Sequence, residues 1–137
     1  MAPRWRTSRP TARSAPTIPL FSSLRLADGP LTVYDLERLR TPPDVLVLSA
    51  CDGARNGVTG GDELVGLAAT LIRMGARTLV APLVPISDRA SLPLSVDLHR
   101  QLARGASGPD ALAWARARQA EDDESAAARA AFVALGA

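Results

Sequence analysis

Asp44-Val45-Leu46-Val47-Leu48-Ser49-Ala50-Cys51 is the stretch on which the reading of this chain turns. Four large apolar residues in a row, Val45 to Leu48, leave no polar face, so the spacing predicts a strand covered on both sides rather than one lying half in water. Pro42-Pro43 separates the run from what precedes it. Beyond it lie Cys51 and a loop, Asp52–Gly61, that holds Gly53, Gly57, Gly60 and Gly61. In open parallel sheets, functional groups collect where strands end at their carboxyl side. A thiol directly after such a strand is well placed to act as a nucleophile, provided a base and oxyanion donors accompany it. The other reading of Cys51 is a small buried apolar residue, the ordinary lot of a free cysteine.

Outward from this strand the pattern alternates between strands and helices. Upstream, Leu24 and Leu26, then Asp28-Gly29, then Leu31 and Val33 read as two extended pieces about an Asp-Gly turn. Thr32 and Asp35 form a capping-box pair for a short helix over Val33–Arg40. Downstream, a helix is expected from near Asp62, with Asp62 and Glu63 at its positive end. Leu64, Leu67, Ala68, Leu71 and Ile72 line one face of it, and Gly75 sits at C′. Thr78-Leu79-Val80-Ala81 reads as a second buried strand, stopped by Pro82 and Pro85. Asp88 is the expected N-cap of a helix to about Ala103, closed by Gly105 and bent or delayed by Pro93. Gly108-Pro109 opens a further helix to about Gln119. The acidic run Glu121–Glu124 reads as solvated loop. Over Ala126–Ala137 alanine favours helix, while Phe132-Val133-Ala134-Leu135 before Gly136 suits a last strand. Strand–helix–strand–helix order implies α/β architecture with right-handed crossovers.

Composition narrows the chemistry. The chain has 137 residues, 47% hydrophobic and 22% charged, enough for one packed domain. A single cysteine excludes an internal disulfide and a multi-cysteine zinc site, and a single histidine, His99, excludes His-rich metal sites. Every basic residue is arginine, so lysine Schiff-base and P-loop chemistry are excluded, and the glycine loop matches no dinucleotide fingerprint. No cofactor is expected. Four of the 16 arginines lie in residues 1–18 with no acid; the remaining 12 face 14 acids over 19–137, a net −2. Residues 1–18, rich in Arg, Pro, Ser and Thr, read as a poorly ordered tail that carries the apparent basicity, so nucleic acid is not an expected partner. No run is long enough for a membrane span or has the shape of a secretory signal. The lone thiol suits a reducing cytoplasm.

Several segments in order resemble the CHAT domain, a caspase-like, separase-related family of cysteine peptidase domains. They are Val45–Cys51, then Gly61-Asp62-Glu63-Leu64-Val65-Gly66-Leu67, Met74–Leu83, Ile86–Ala90, Leu98–Gly105, Pro109–Leu112 and Ala131–Gly136, with Pro19–Gly29 upstream. The resemblance covers residues 19–137. It implies the C-terminal part of a caspase-like three-layer sandwich with a mostly parallel sheet, incomplete in this chain. It also assigns the nucleophile's position to Cys51 and makes the last segment a strand.

The chain departs from the family pattern in ways that bear on activity. Members carry a His-Gly pair ahead of the segment that here begins at Pro19, and its histidine is the general base; residues 1–18 contain none. His99 falls on a family helix position. The change in composition at residue 18/19 is what a late start or a shifted reading frame produces. Three readings follow: a truncated, inactive peptidase-type domain; a non-catalytic module that completes its sheet with a partner protein through an exposed apolar edge; and an active cysteine hydrolase that borrows His99. Asp52 and Asp62 flank the loop and suit a basic residue of a protein substrate, although Asp62 is equally a helix-start acid.

Overall fold

In the computed structural model, which describes residues 5–8, 11–13, 23–26, 29–48 and 68–136, the central run forms a strand flanked on both sides. The elements in chain order are β1 (Trp5–Ser8), β2 (Thr11–Arg13), β3 (Ser23–Leu26), β4 (Gly29–Thr32), α1 (Val33–Glu37) and β5 (Val45–Leu48). There follow α2 (residues 68–73), β6 (Thr78–Pro82), α3 (Asp88–Ala103), α4 (Gly108–Ala117), α5 (Asp123–Ala131) and β7 (Phe132–Gly136). The main sheet has the order β1-β5-β6-β7. β1 and β6 both run parallel to β5, and β7 runs antiparallel to β6. A second, antiparallel sheet has the order β2-β3-β4, with Leu26 facing Gly29 across the expected hairpin.

The four residues of β5 divide strictly between two cores. Val45 and Val47 join Val80 in a cluster with Leu94, Leu98 and Leu102 of α3, Leu112 of α4 and Phe132. Leu46 and Leu48 join Leu79 and Ala81 in a second cluster with Leu36 of α1 and Leu71 of α2. Alternation along a strand sends neighbours to opposite faces, and here each face meets helices, so the run has no polar positions because it has no wet side. This is the α/β arrangement expected from the sequence.

The helix ends follow local chemistry closely, with some corrections. Thr32 and Asp35 form the capping box, but α1 ends at Glu37 with Arg38 as C-cap, short of Arg40. Gly75 and Gly105 take the positive φ that closes α2 and α3. Ser87, not Asp88, caps α3: its hydroxyl accepts from the Ala90 N–H, and Asp88 becomes the first helical residue. Pro93 lies inside α3 without delaying its start. Within the acidic run, Asp122 is the N-cap of α5 and Asp123 and Glu124 are its first turn, an arrangement favoured by the helix dipole. Ile72 is 44% exposed, on the flank of a face set by Ala68 and Leu71. The ambiguous C-terminal stretch uses both options, alanine-rich helix to Ala131 and then strand.

Two larger corrections concern the start of the chain. Residues 5–8 and 11–13, expected to be part of a poorly ordered tail, are strands in the two sheets. The open apolar edge expected beside β5 is covered, since β1 pairs with it from Trp5↔Val45 to Ser8↔Leu48. Among the described residues the terminal strand of the main sheet on this side is therefore β1. No local pattern announces β1, because Trp-Arg-Thr-Ser neither alternates nor runs apolar; its strand character comes from the edge it pairs with.

Two caps make stability depend on acid. The Thr32 backbone N–H, and then its hydroxyl, hold the Asp35 carboxyl below its ordinary value. The Ser125 N–H and hydroxyl do the same for Asp122. A carboxyl depressed in the folded state stabilises above its unfolded pKa, about 3.9, and that contribution disappears as pH falls through the lower folded value. The urea midpoint should therefore fall on acidification below about pH 4, and the pair Asp35→Asn/Asp122→Asn should show a shallower fall. Equal slopes for the two proteins would show that the caps do not carry this effect.

Candidate functional site

β1, β5 and β6 share one direction, so their carboxyl ends, Ser8, Leu48 and Pro82, define one rim of the sheet. Cys51 follows Leu48 by three residues. Cys51, Asp52 and Asp62 themselves, with the whole loop between them, lie outside the described residues. What the structure gives is the platform: a buried strand that ends three residues before Cys51 in sequence, with Val47 at 0% and Leu48 at 3% exposure. Rigid supports of this kind hold reactive groups in register.

On the β6 side of the rim the chain turns over Leu83 and Val84 before α3. The Leu83 N–H donates to the Ala131 carbonyl at 2.8 Å, which ties the turn to the end of α5. Ile86 is buried beneath it, while Leu83 and Val84 are 42% and 55% exposed. No pattern in the sequence separates these two from the buried Val80 and Ala81; only the end of β6 at Pro82 does so.

His99 lies at the other end of the sheet. α3 starts after the carboxyl end of β6 and runs back along the sheet, as its exit shows: Arg104 caps it, and four residues later Gly108 rests against Thr78, the first residue of β6. His99 is eleven residues beyond Asp88, about 16 Å along the helix axis. Its Nδ1–H donates to the Ser95 carbonyl at 2.6 Å. The only histidine in the sequence is therefore near the amino end of the sheet and engaged within its own helix. At the carboxyl end of β1, the strand beside β5, the sequence continues Ser8-Arg9-Pro10, none of which accepts a thiol proton at neutral pH.

A groove of about 520 Å³ lies elsewhere, among α3, the end of α4 and the start of α5, lined by Arg89, Pro93, Asp97, Arg118, Gln119 and Asp122. Asp97 meets Arg100 at 3.2 Å and Arg118 at 3.9 Å, and Arg89 meets Glu124 at 3.5 Å. Gln119 is buried and donates through Nε2 to the Ala115 carbonyl at 3.0 Å. The groove is thus lined by charges already paired with one another, and its one hydroxyl, that of Ser125, donates to Asp122 at 3.0 Å. Among the described residues no group of three or more His, Cys, Asp or Glu is placed to hold a metal ion. No helix among them is long and apolar enough to cross a membrane.

No curated protein matches the sequence. The family model described as the CHAT domain matches residues 8–137, from the last residue of β1 through β7. With the match running from the end of β1 through β7, the chain belongs to the CHAT domain family.

Proposed function

We propose that this chain is a caspase-like, peptidase-type domain in which Cys51 holds the nucleophile's position but no general base accompanies it, so that the chain by itself does not hydrolyse peptide bonds. The observation that supports this reading is that β5 ends at one rim of the sheet three residues before Cys51 in sequence, while the only imidazole lies late in α3, which runs back toward the other rim. Loss of general-base assistance costs about 10²–10⁴ in rate. A cysteine thiol at its reference pKa of about 8.5 is mostly protonated near pH 7.

The rate of Cys51 alkylation by iodoacetamide, followed by intact mass across pH 5–10, tests the reading. The expected profile rises with a midpoint near 8.5, the unassisted value. A midpoint below about 7, or a profile shifted by His99→Ala, would show an activating partner and sink the proposal. Asp52 and Asp62 flank the loop that follows the thiol in the sequence and would receive a basic residue of a bound protein. The lone thiol fits a reducing, cytoplasmic setting.

A second reading rests on a separate observation. β1 is a short terminal strand whose outer side has no partner among the described residues, and an open edge of this kind accepts a strand from another chain. In this role the domain is a non-catalytic interaction module. Light scattering coupled to size exclusion decides the homomeric case: a mass that stays monomeric up to high micromolar concentration counts against strand exchange between copies.

A further inference from the structure

Among the described residues the main sheet ends in β7 on the side away from β1. β7 runs antiparallel to β6, so its residues point their backbone groups alternately towards β6 and away from it. The register shows which is which. The Leu83 N–H donates to the Ala131 carbonyl at 2.8 Å, and the ladder continues with Ala81↔Val133 and Leu79↔Leu135. Val133 and Leu135 therefore turn their N–H and C=O groups inwards, while Phe132 and Ala134 turn theirs outwards, as Gly136 does its N–H. Both outward groups of Phe132 are taken: its N–H donates to the Ala128 carbonyl, and its carbonyl accepts from Nη2 of Arg116. Those of Ala134 have no partner among the described residues.

The bond costs Arg116 part of its hydration. The residue lies in the last turn of α4, where a cation suits the helix dipole without leaving water. Instead its Nε is buried without a hydrogen-bond partner, and no ion pair of Arg116 is found among the described residues. A guanidinium that gives up water for a carbonyl, with no carboxylate in return, is explained by where that carbonyl lies. A strand added to β7 would run beside Phe132 and would need its carbonyl as an acceptor, and charged side chains on terminal strands are a general means of preventing such addition.

We propose that Arg116 is a guard that closes the β7 edge against a second copy of this chain. A second copy is the strand to be excluded because the edge is self-complementary. An antiparallel two-fold through Ala134 would let its N–H meet the other copy's Ala134 carbonyl, and its carbonyl the other's N–H. The same register sets Gly136 opposite Phe132 of the other copy, with the Gly136 N–H directed at the Phe132 carbonyl. With Arg116 on that carbonyl the flanking bonds are lost, and the guanidinium stands where the second backbone would pass. Only the central exchange at Ala134 remains. The guard is independent of the reading of Cys51, and it concerns the side of the sheet opposite to β1.

Light scattering coupled to size exclusion, on the full chain from low to high micromolar concentration, reads the guard through two substitutions. Arg116→Met keeps most of the side chain's length and removes the guanidinium. It should self-associate at least about tenfold more tightly than the parent, the gain expected from freeing the Phe132 carbonyl on each copy. Ala134→Pro removes the outward N–H without touching the ladder to β6, a position where a terminal strand tolerates proline. In the double variant it should abolish the added mass. Arg116→Met with the parent's mass, added mass that survives Ala134→Pro, or parent self-association that Ala134→Pro abolishes would each overturn the guard. Amide exchange tests the unaltered chain by itself: at low concentration the Ala134 N–H should exchange at least about tenfold faster than those of Val133 and Leu135. In Arg116→Met at high concentration the Ala134 amide should become protected. Equal protection of all three in the dilute parent overturns the outward orientation that the guard requires, whether or not the Arg116→Met chain folds.

Discussion

Phe132→Ala should lower the unfolding free energy by about 3–5 kcal/mol, the largest loss expected for a single side chain here. Phe132 is 0% exposed and belongs to the cluster that joins β5 and β6 to α3, α4 and α5. It also stands at a junction, as the C-cap of α5 and the first residue of β7, opposite Pro82. Its carbonyl accepts from Nη2 of Arg116, so backbone and ring are both held by α4 and the sheet. Truncation removes the aromatic contacts and leaves a cavity between elements that cannot close independently. Domains of this size are stable by only about 5–15 kcal/mol, so the loss takes a large part of the total. Urea unfolding should show a midpoint well below that of the parent with an unchanged slope. Leu92→Ala is the comparison: Leu92 is 52% exposed, and the change there should stay within about 0.5 kcal/mol. Comparable losses at the two positions would mean that burial in this cluster is not what gives Phe132 its effect.

The same junction shows how far sequence reasoning reaches in this chain. The run Val45–Leu48 is legible because a strand with two dry faces must be apolar throughout, and the structure divides those four residues between two cores. Gly75, Gly105 and the Thr32–Asp35 box are legible because caps depend on a few adjacent residues. β1 and β2 are not, since four and three residues of mixed polarity become strands only through partners distant in sequence. Ser87 and Asp88 are both good caps, and the backbone of Ser87, with ψ of 148°, decides between them. At the functional rim, Cys51 can be nominated from its place after β5. The exposure of Leu83 and Val84 cannot, because in one dimension they continue the apolar character of β6. The placement of His99 towards the amino end of the sheet is legible, since a residue late in a helix that follows a strand returns in that direction.

Gly108→Ala should cost about 1–3 kcal/mol, and the reason is space rather than backbone conformation. Gly108 opens α4 and carries no positive φ, yet a Cβ built there would stand 2.7 Å from Cγ2 and 2.9 Å from Cβ of Thr78. Thr78 is 1% exposed at the start of β6, so neither partner is free to swing away, and α4 would have to lift from the sheet. The Gly-Pro pair suggests only a proline at the first helical turn; the glycine's own role depends on a contact across thirty positions of chain. Thr78→Ser removes the closest atom, Cγ2, while keeping the hydroxyl, so it should recover part of the loss in the double variant, with a coupling of at least about 0.5 kcal/mol. Gly105→Ala provides the contrast. Gly105 has φ of +92°, and a Cβ placed there would meet no atom within 4 Å, so its cost is backbone strain, which Thr78→Ser cannot relieve. Chemical denaturation of the single and double variants separates the two mechanisms. If Thr78→Ser fails to couple to Gly108→Ala, or couples equally to Gly105→Ala, then close packing of α4 on β6 is not what the glycine at 108 permits. Because α4 and α3 together cover the face of the sheet that holds Val45 and Val47, a lifted α4 loosens β5 itself, and the first functional sign of the substitution should be faster, less selective alkylation of Cys51.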